Sequence, residues 1–238
     1  MHPDPLLSLR SRAGNLFRRA VGALEGVLFL RTCYACGTEI EEGLFCPVCR
    51  SYLLELKEWD QGGERGWFFF TYDEGIKEAM RKIKFEQNWA LLDRCAEETE
   101  LLWQSGVLRR CQEALPVPLT DLVWCGVPTD ARRRRERGYD LPTALFRRLA
   151  GLSGGTWQPL LCRTRHTEPM FGLGPEERRR NLEDSMALLV PVDGKNIVLT
   201  DDIFTTGATF AAASAVLREG GAASVRCLAF AGSVENLR

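Results

Sequence analysis

Histidine is nearly missing from this sequence: His2 and His166 are the only two in 238 residues. With no paired histidines and no clear nucleophile motif, a hydrolytic triad is disfavoured. Neither a P-loop nor a His-Glu-x-x-His segment occurs, which removes two further classes of hydrolase. Long apolar runs are absent as well. None approaches the roughly 18 residues that a bilayer span needs, and the stretch from Val21 to Leu30 is broken by Glu25. Arg10, Arg12, Arg18 and Arg19 precede that stretch, but no small-residue cleavage site follows before Cys33. It reads as a short amphipathic helix packed on the body rather than a signal peptide. Net charge is also lacking. Lys and Arg number 31 against 32 Asp and Glu, so the overall balance names no partner. There is no internal repeat and no low-complexity tract.

What is present suits a globular protein. Hydrophobic residues make up 45% and charged residues 26%, enough to bury a core without disulfide staples. Nine cysteines without a secretory signal point to a reducing, cytoplasmic setting, where thiols bind metal or sit buried. Charge is unevenly spread. Residues 132–181 hold 12 arginines and 5 acids, which suggests a directed anion site within an otherwise acidic chain.

Three units are expected along the chain. Residues 1–31 form an N-terminal helical segment, 32–60 a cysteine module, and 67–238 an α/β domain. The polar, glycine-rich Gln61–Gly66 stretch reads as a linker. Strands are predicted over 67–72, 122–127, 157–161, 186–190, 197–200 and 225–231. Helices are predicted over 76–85, 89–103, 141–149 and 207–218, the last closed by Gly220-Gly221. Short apolar strands alternating with helices predict an α/β fold with a mostly parallel sheet.

The cysteine module holds Cys33-Tyr34-Ala35-Cys36 and Cys46-Pro47-Val48-Cys49, two CxxC pairs with nine residues between them. Each pair can present two thiolates from one knuckle. Four thiolates make a closed tetrahedral site, the preference of structural Zn²⁺, with no open position for chemistry. Gly37 follows the first knuckle, where a positive φ relieves the turn. Cys95, Cys111, Cys125, Cys162 and Cys227 lie singly among apolar residues and read as small core residues.

The most informative stretch is Asn196 to Thr209. An apolar strand ends on Asp201 and Asp202, and Thr205-Thr206-Gly207-Ala208-Thr209 opens a helix. Ligands of open α/β sheets bind at the carboxyl ends of strands. A helix N-terminus with small residues and hydroxyls cradles anions, and Gly207 lets backbone approach a phosphate. Two carboxylates beside that cradle suit hydroxyls, or hydroxyls shared with Mg²⁺. The combination describes a sugar phosphate. The alternative is an N-capped helix after a buried strand, with Thr205 or Thr206 as the cap.

This stretch resembles the phosphoribosyl-pyrophosphate motif of type I phosphoribosyltransferases. Cys125-Gly126-Val127-Pro128, followed by Arg132 to Arg135 and Arg137-Gly138-Tyr139-Asp140, is similar to a ComF-family pattern. So are Arg163 to Pro169 with Arg178 and Asn181, and the Lys82–Phe85 segment. With the cysteine module in front, the resemblance to the ComF family runs from about Cys33 to Gly232. It implies a type I phosphoribosyltransferase-like parallel sheet flanked by helices and preceded by a small zinc-ribbon module. It implies Asp201 and Asp202 as ribose-binding acids and Thr205 to Thr209 as the 5′-phosphate loop. Arg137 is expected to face pyrophosphate, since arginine makes forked phosphate contacts. The implied cofactors are structural Zn²⁺, and Mg²⁺ with phosphoribosyl pyrophosphate. The implied role is in DNA uptake, as a phosphoribosyltransferase or as a non-catalytic ligand sensor or single-stranded-DNA-binding protein. The sequence departs from the pattern at three positions: Asp140 replaces asparagine, and Leu141 and Met170 replace glutamine.

Overall fold

A computed structural model describes residues 31–61, 63–165 and 185–233. Residues 1–30 of the expected N-terminal helical segment, His166 to Pro169, Met170, Arg178 and Asn181 all lie outside the described residues.

A short helix, α1 (Pro47–Leu53), leads into β1 (Leu54–Gln61) and β2 (Glu64–Thr71). Helices α2 (Glu74–Glu86), α3 (Trp89–Gln104) and α4 (Arg109–Glu113) precede β3 (Leu122–Gly126). Then come α5 (Ala131–Arg137), α6 (Leu141–Leu152) and β4 (Thr156–Trp157). A small antiparallel pair, β5 (Leu161–Arg163) and β6 (Met186–Leu188), stands apart from the main sheet. The chain closes with β7 (Asn196–Phe204), α7 (Ala208–Glu219) and β8 (Ser224–Gly232).

The expected α/β class with a mostly parallel sheet is what forms. Six strands lie in the order β1-β2-β8-β7-β3-β4, and every pairing except β1 with β2 is parallel. Both faces are covered, as a parallel sheet requires. Successive residues of a strand point to opposite faces, and burial follows that rule. Trp67 and Phe69 of β2 and Val198 of β7 join a core with α2, α3 and α6. Phe68, Ile197, Leu199 and Cys227 join the core under Phe210, Ala213 and Leu217 of α7. No helix among the described residues is long and apolar enough to cross a membrane.

The structure corrects three expectations. Gln61–Gly66 is no linker: it contains the turn of the β1–β2 hairpin, with Gln61 facing Glu64 and Gly63 at φ +82°. The single strand expected at 157–161 divides between β4 and β5. Strand β7 does not stop at Thr200; it carries on through the two aspartates to Phe204, paired with β8 as far as Gly232.

The connections locate the ligand crevice. From β3 the chain crosses outward to β4, whereas from β7 it crosses the other way to β8. Adjacent strands β3 and β7 therefore flank the topological switch point, where the carboxyl ends of an open sheet leave a crevice. Gly126 is in register with Thr200, and the Val127 amide donates to the Thr200 carbonyl at 2.8 Å.

Candidate functional site

Strand β7 brings Asp201 and Asp202 to this crevice. Both are partly enclosed, and the Asp202 side chain keeps only 14% of its surface open. Asp202 is ion-paired through Oδ2 with Lys84 Nζ, whose side chain is 23% exposed. The Asp202 amide donates to Asp201 Oδ1 at 2.9 Å. Burial and the neighbouring Asp202 charge hold the Asp201 carboxyl well above the usual range. Burial opposes ionisation of Asp202 too, but the Lys84 ammonium, with Asp201 and Arg137, outweighs it and holds this carboxyl low.

Four residues after Asp201, the chain turns into α7. Gly207 takes φ +73° at the helix N-cap, and no side chain caps the first turn. The N-cap residue thus offers the leading amides of α7 no side-chain acceptor, an arrangement suited to anions. A Cβ at Gly207 would stand 3.2 Å from Phe204 Cε2, so both φ and space call for glycine. Thr206 Oγ1 is buried with no hydrogen-bond partner. That hydroxyl is therefore not spent on capping the helix.

The opposite wall is built by α5 and its exit. Asp130 caps α5 through the Arg132 and Arg133 amides. Gly138 ends it at φ +81°, with the Trp89 ring 3.2 Å from where a Cβ would lie. Arg137 Nε donates to the Lys84 carbonyl at 3.1 Å, and the Tyr139 hydroxyl donates to the Ile83 carbonyl. Both carbonyls belong to the last turn of α2, which has no intrahelical donors for them. Arg137 therefore secures the helix that presents Lys84, while its charge reaches Asp202. Arg132, Arg134 and Arg135 are exposed, and Arg133 and Arg137 are half-buried. The run divides between solvent and site.

Lys84, Tyr139 and Arg163 were quoted from the sequence without a role. Arg163 Nε donates to the Pro128 carbonyl and its terminal nitrogen to Ser185 Oγ, both at 3.0 Å. Burial pushes the Arg163 guanidinium down, and the Asp201 charge works against that. Position in a basic motif was the only sequence signal for these three.

The four cysteines form a second site. The ligand atoms of Cys33, Cys36, Cys46 and Cys49 all lie within 4.8 Å of one another. The Cys36 and Cys46 sulfurs are 3.8 Å apart, the edge of a tetrahedron with about 2.3 Å metal–sulfur bonds. Gly37 takes φ +75° as expected, and its amide donates to the Cys33 carbonyl at 2.9 Å. The second knuckle opens α1, with Cys46 as N-cap and Pro47 following. The Thr38 hydroxyl draws the Cys36 thiol down to about 6, while Cys36 and Cys46 push Cys49 up to about 12. The donor set fits a structural metal such as zinc.

Helix α3 clamps this module, which the sequence did not announce. Glu98 is fully buried and accepts from the Leu44 and Phe45 amides at 2.8 and 3.2 Å, and from Arg50. Arg94 donates to the carbonyls of Thr32, Gly43 and Leu44. Of the lone cysteines, Cys95, Cys111, Cys125 and Cys227 are buried, as expected, whereas Cys162 is only half-buried. Burial pushes the Cys125 thiol up to about 11, so it is inert.

No family model matches the chain. It is 35% identical over 156 residues to the DNA utilization protein YhgH of Salmonella typhi, covering 65% of this chain and 66% of that protein. It thus spans just under two thirds of that relative's length. It is 27% identical over 198 residues to competence protein F of Haemophilus influenzae, covering 82% of this chain and 81% of that one. Among solved structures, a hypoxanthine phosphoribosyltransferase from Staphylococcus aureus matches with a TM-score of 0.35 and 13% identity, over 61% of this chain and 65% of that chain.

Proposed function

Because this chain belongs to the ComF family of competence and DNA-utilization proteins, we propose that it serves DNA uptake by binding a ribose 5-phosphate, as carried by phosphoribosyl pyrophosphate. The observation that carries this reading is the start of α7 at Gly207 with the buried, partnerless Thr206 hydroxyl, four residues after Asp202 of the enclosed aspartate pair. Thr205, Thr206, Gly207, Ala208 and Thr209 bind the 5′-phosphate through amides and hydroxyls. Asp201 and Asp202 accept from the ribose diol. Arg137, Lys84 and Arg163 supply positive charge toward the pyrophosphate end.

As a transferase, the site would favour breaking the bond between the anomeric carbon and the pyrophosphate oxygen, while an acceptor forms the new bond and gives up its proton. Its contribution is positioning and charge stabilisation. Mg²⁺, when bound, neutralises pyrophosphate oxygens; Asp201 and Asp202 are the oxygen ligands that suit it. Zinc in the cysteine site is structural, since four thiolates leave no open position.

Replacing Asp201 and Asp202 together with Asn tests the reading. Equilibrium dialysis with phosphoribosyl pyrophosphate should show binding by the parent chain and none by the folded double variant. Equal retention by both proteins would remove the acids from the ribose site.

One observation favours a second reading beside the first, single-stranded nucleic acid. Phe85 is 72% exposed at the end of α2, the helix whose last turn Arg137 of α5 holds, and Arg134 and Arg135 of α5 are exposed. Aromatic faces and arginines together form a stacking and phosphate-contact surface.

A further inference from the structure

The ion pair between Lys84 and Asp202 has a consequence for metal dependence. Magnesium dehydrates reluctantly and demands near-octahedral oxygen ligands, so it is usually held by one or two carboxylates plus substrate phosphates. Here one of the two candidate carboxylates is already engaged. Lys84 and Asp202 side chains are both largely withdrawn from solvent, at 23% and 14% exposed. The lysine is not free to swing away at the backbone. Arg137 Nε holds its carbonyl at 3.1 Å, and the Tyr139 hydroxyl holds the preceding carbonyl of Ile83. Two further side chains, Arg137 and Arg163, lend charge to the same acids. The protein thus places its own positive charge where a divalent ion would sit.

We infer that Lys84 is the resident cation of the Asp201–Asp202 pair, so that the pocket accepts its sugar phosphate without first loading a divalent metal there. An ammonium has three donors. It can keep Asp202 while offering another N–H to an arriving phosphate oxygen, and the diol then completes the acids. Any metal carried in by pyrophosphate is an addition to this arrangement and no precondition for it. This inference rests on the ribose-phosphate reading for its ligand, but its core concerns what occupies Asp202.

The test uses the zinc-loaded full chain, its Lys84→Met variant and its Lys84→Arg variant. Mn²⁺ titration followed by electron paramagnetic resonance asks what takes a divalent ion. Lys84→Met should acquire a Mn²⁺ site that the parent lacks, and adding Asp202→Asn should remove it. Lys84→Arg should exclude Mn²⁺ as the parent does, which separates charge from any fault in folding. Calorimetry with phosphoribosyl pyrophosphate in Mg²⁺-free buffer should show binding to the parent and a loss of roughly tenfold or more in Lys84→Met, restored in part by Mg²⁺. A parent chain that takes Mn²⁺ as tightly as Lys84→Met, or binds the sugar phosphate only with Mg²⁺, overturns the inference. Should neither protein bind the sugar phosphate under any condition, the ribose-phosphate reading fails, and the Mn²⁺ titration still decides the role of Lys84.

Discussion

Asp140 stands where the ComF pattern has asparagine, and the exchange has a local reason. Its carboxylate accepts from the Thr129 and Thr143 amides, each at 3.2 Å, and from the Thr143 hydroxyl. All three partners are donors, so a group that only accepts is well matched. Asp140→Asn should cost about 1 kcal/mol, read from urea melts, because one donor then meets an amide nitrogen. Leu141 beside it is 1% exposed within the core, where a glutamine amide would need partners of its own. Gly207→Ala meets both a positive φ and the Phe204 ring. A loss of more than about 1 kcal/mol is expected, with weaker sugar-phosphate binding, checked by thermal melts and dialysis. Tyr139 gives a pH signature. Burial raises its hydroxyl to about 12, above the ordinary value near 10. Stability from this group is complete below about pH 10 and is lost as pH rises toward about 12. Melts over that range should fall less steeply in Tyr139→Phe; identical slopes would show that Tyr139 is not the titrating group.

At the scale of elements, the sequence was legible where periodicity was strong and silent where polar residues sit in strands. Helices α2, α3, α6 and α7 fall close to their predicted spans, because their apolar residues recur at helical spacing. Strand β1 went unrecognised. Its Glu55, Lys57, Glu58 and Asp60 fell within the expected 32–60 cysteine module, yet charged residues are what an edge strand carries to discourage further pairing. The glycines after it mark a hairpin turn, a signal shared with linkers. The end of β7 was hidden by Thr200, Asp201 and Asp202, polar residues within a strand that runs on to Phe204. The proposed phosphate loop stood out because its residue types and order carry the proposed chemistry. Lys84 and Glu98 were not, since their partners lie far away in sequence. Glu98→Ala should unseat the cysteine module from α3 and leave Arg50 buried without its partner. A loss of about 3–5 kcal/mol is expected, with zinc released at lower chelator concentration. An unchanged melt would show that the module stands alone. Helix α5 divides by exposure, so changing Arg134 and Arg135 to Ala should spare sugar-phosphate binding. The same change should lower the slope of log K against log salt for single-stranded DNA by about 1.4, at about 0.7 per phosphate contact.

For the molecule as a whole, the order β1-β2-β8-β7-β3-β4 decides where chemistry can occur. Reversal of the connections between β3 and β7 opens one crevice, and the chain brings its two acids, the α7 N-terminus and Lys84 to it. The cysteine module lies against α3 on the side of the α2–α3–α6 core. Lys82 of α2 stands 5.8 Å over its Tyr34 ring, on a different face of the helix from Lys84 two positions on. The central claim is that this crevice holds a ribose 5-phosphate, and a crystal structure of the chain soaked with phosphoribosyl pyrophosphate tests it most directly. The account predicts the 5′-phosphate on the amides and hydroxyls of residues 205–209, with the ribose diol on Asp201 and Asp202. Phosphate density among Arg132 to Arg135 instead, with the α7 N-terminus and both aspartates untouched, would contradict it.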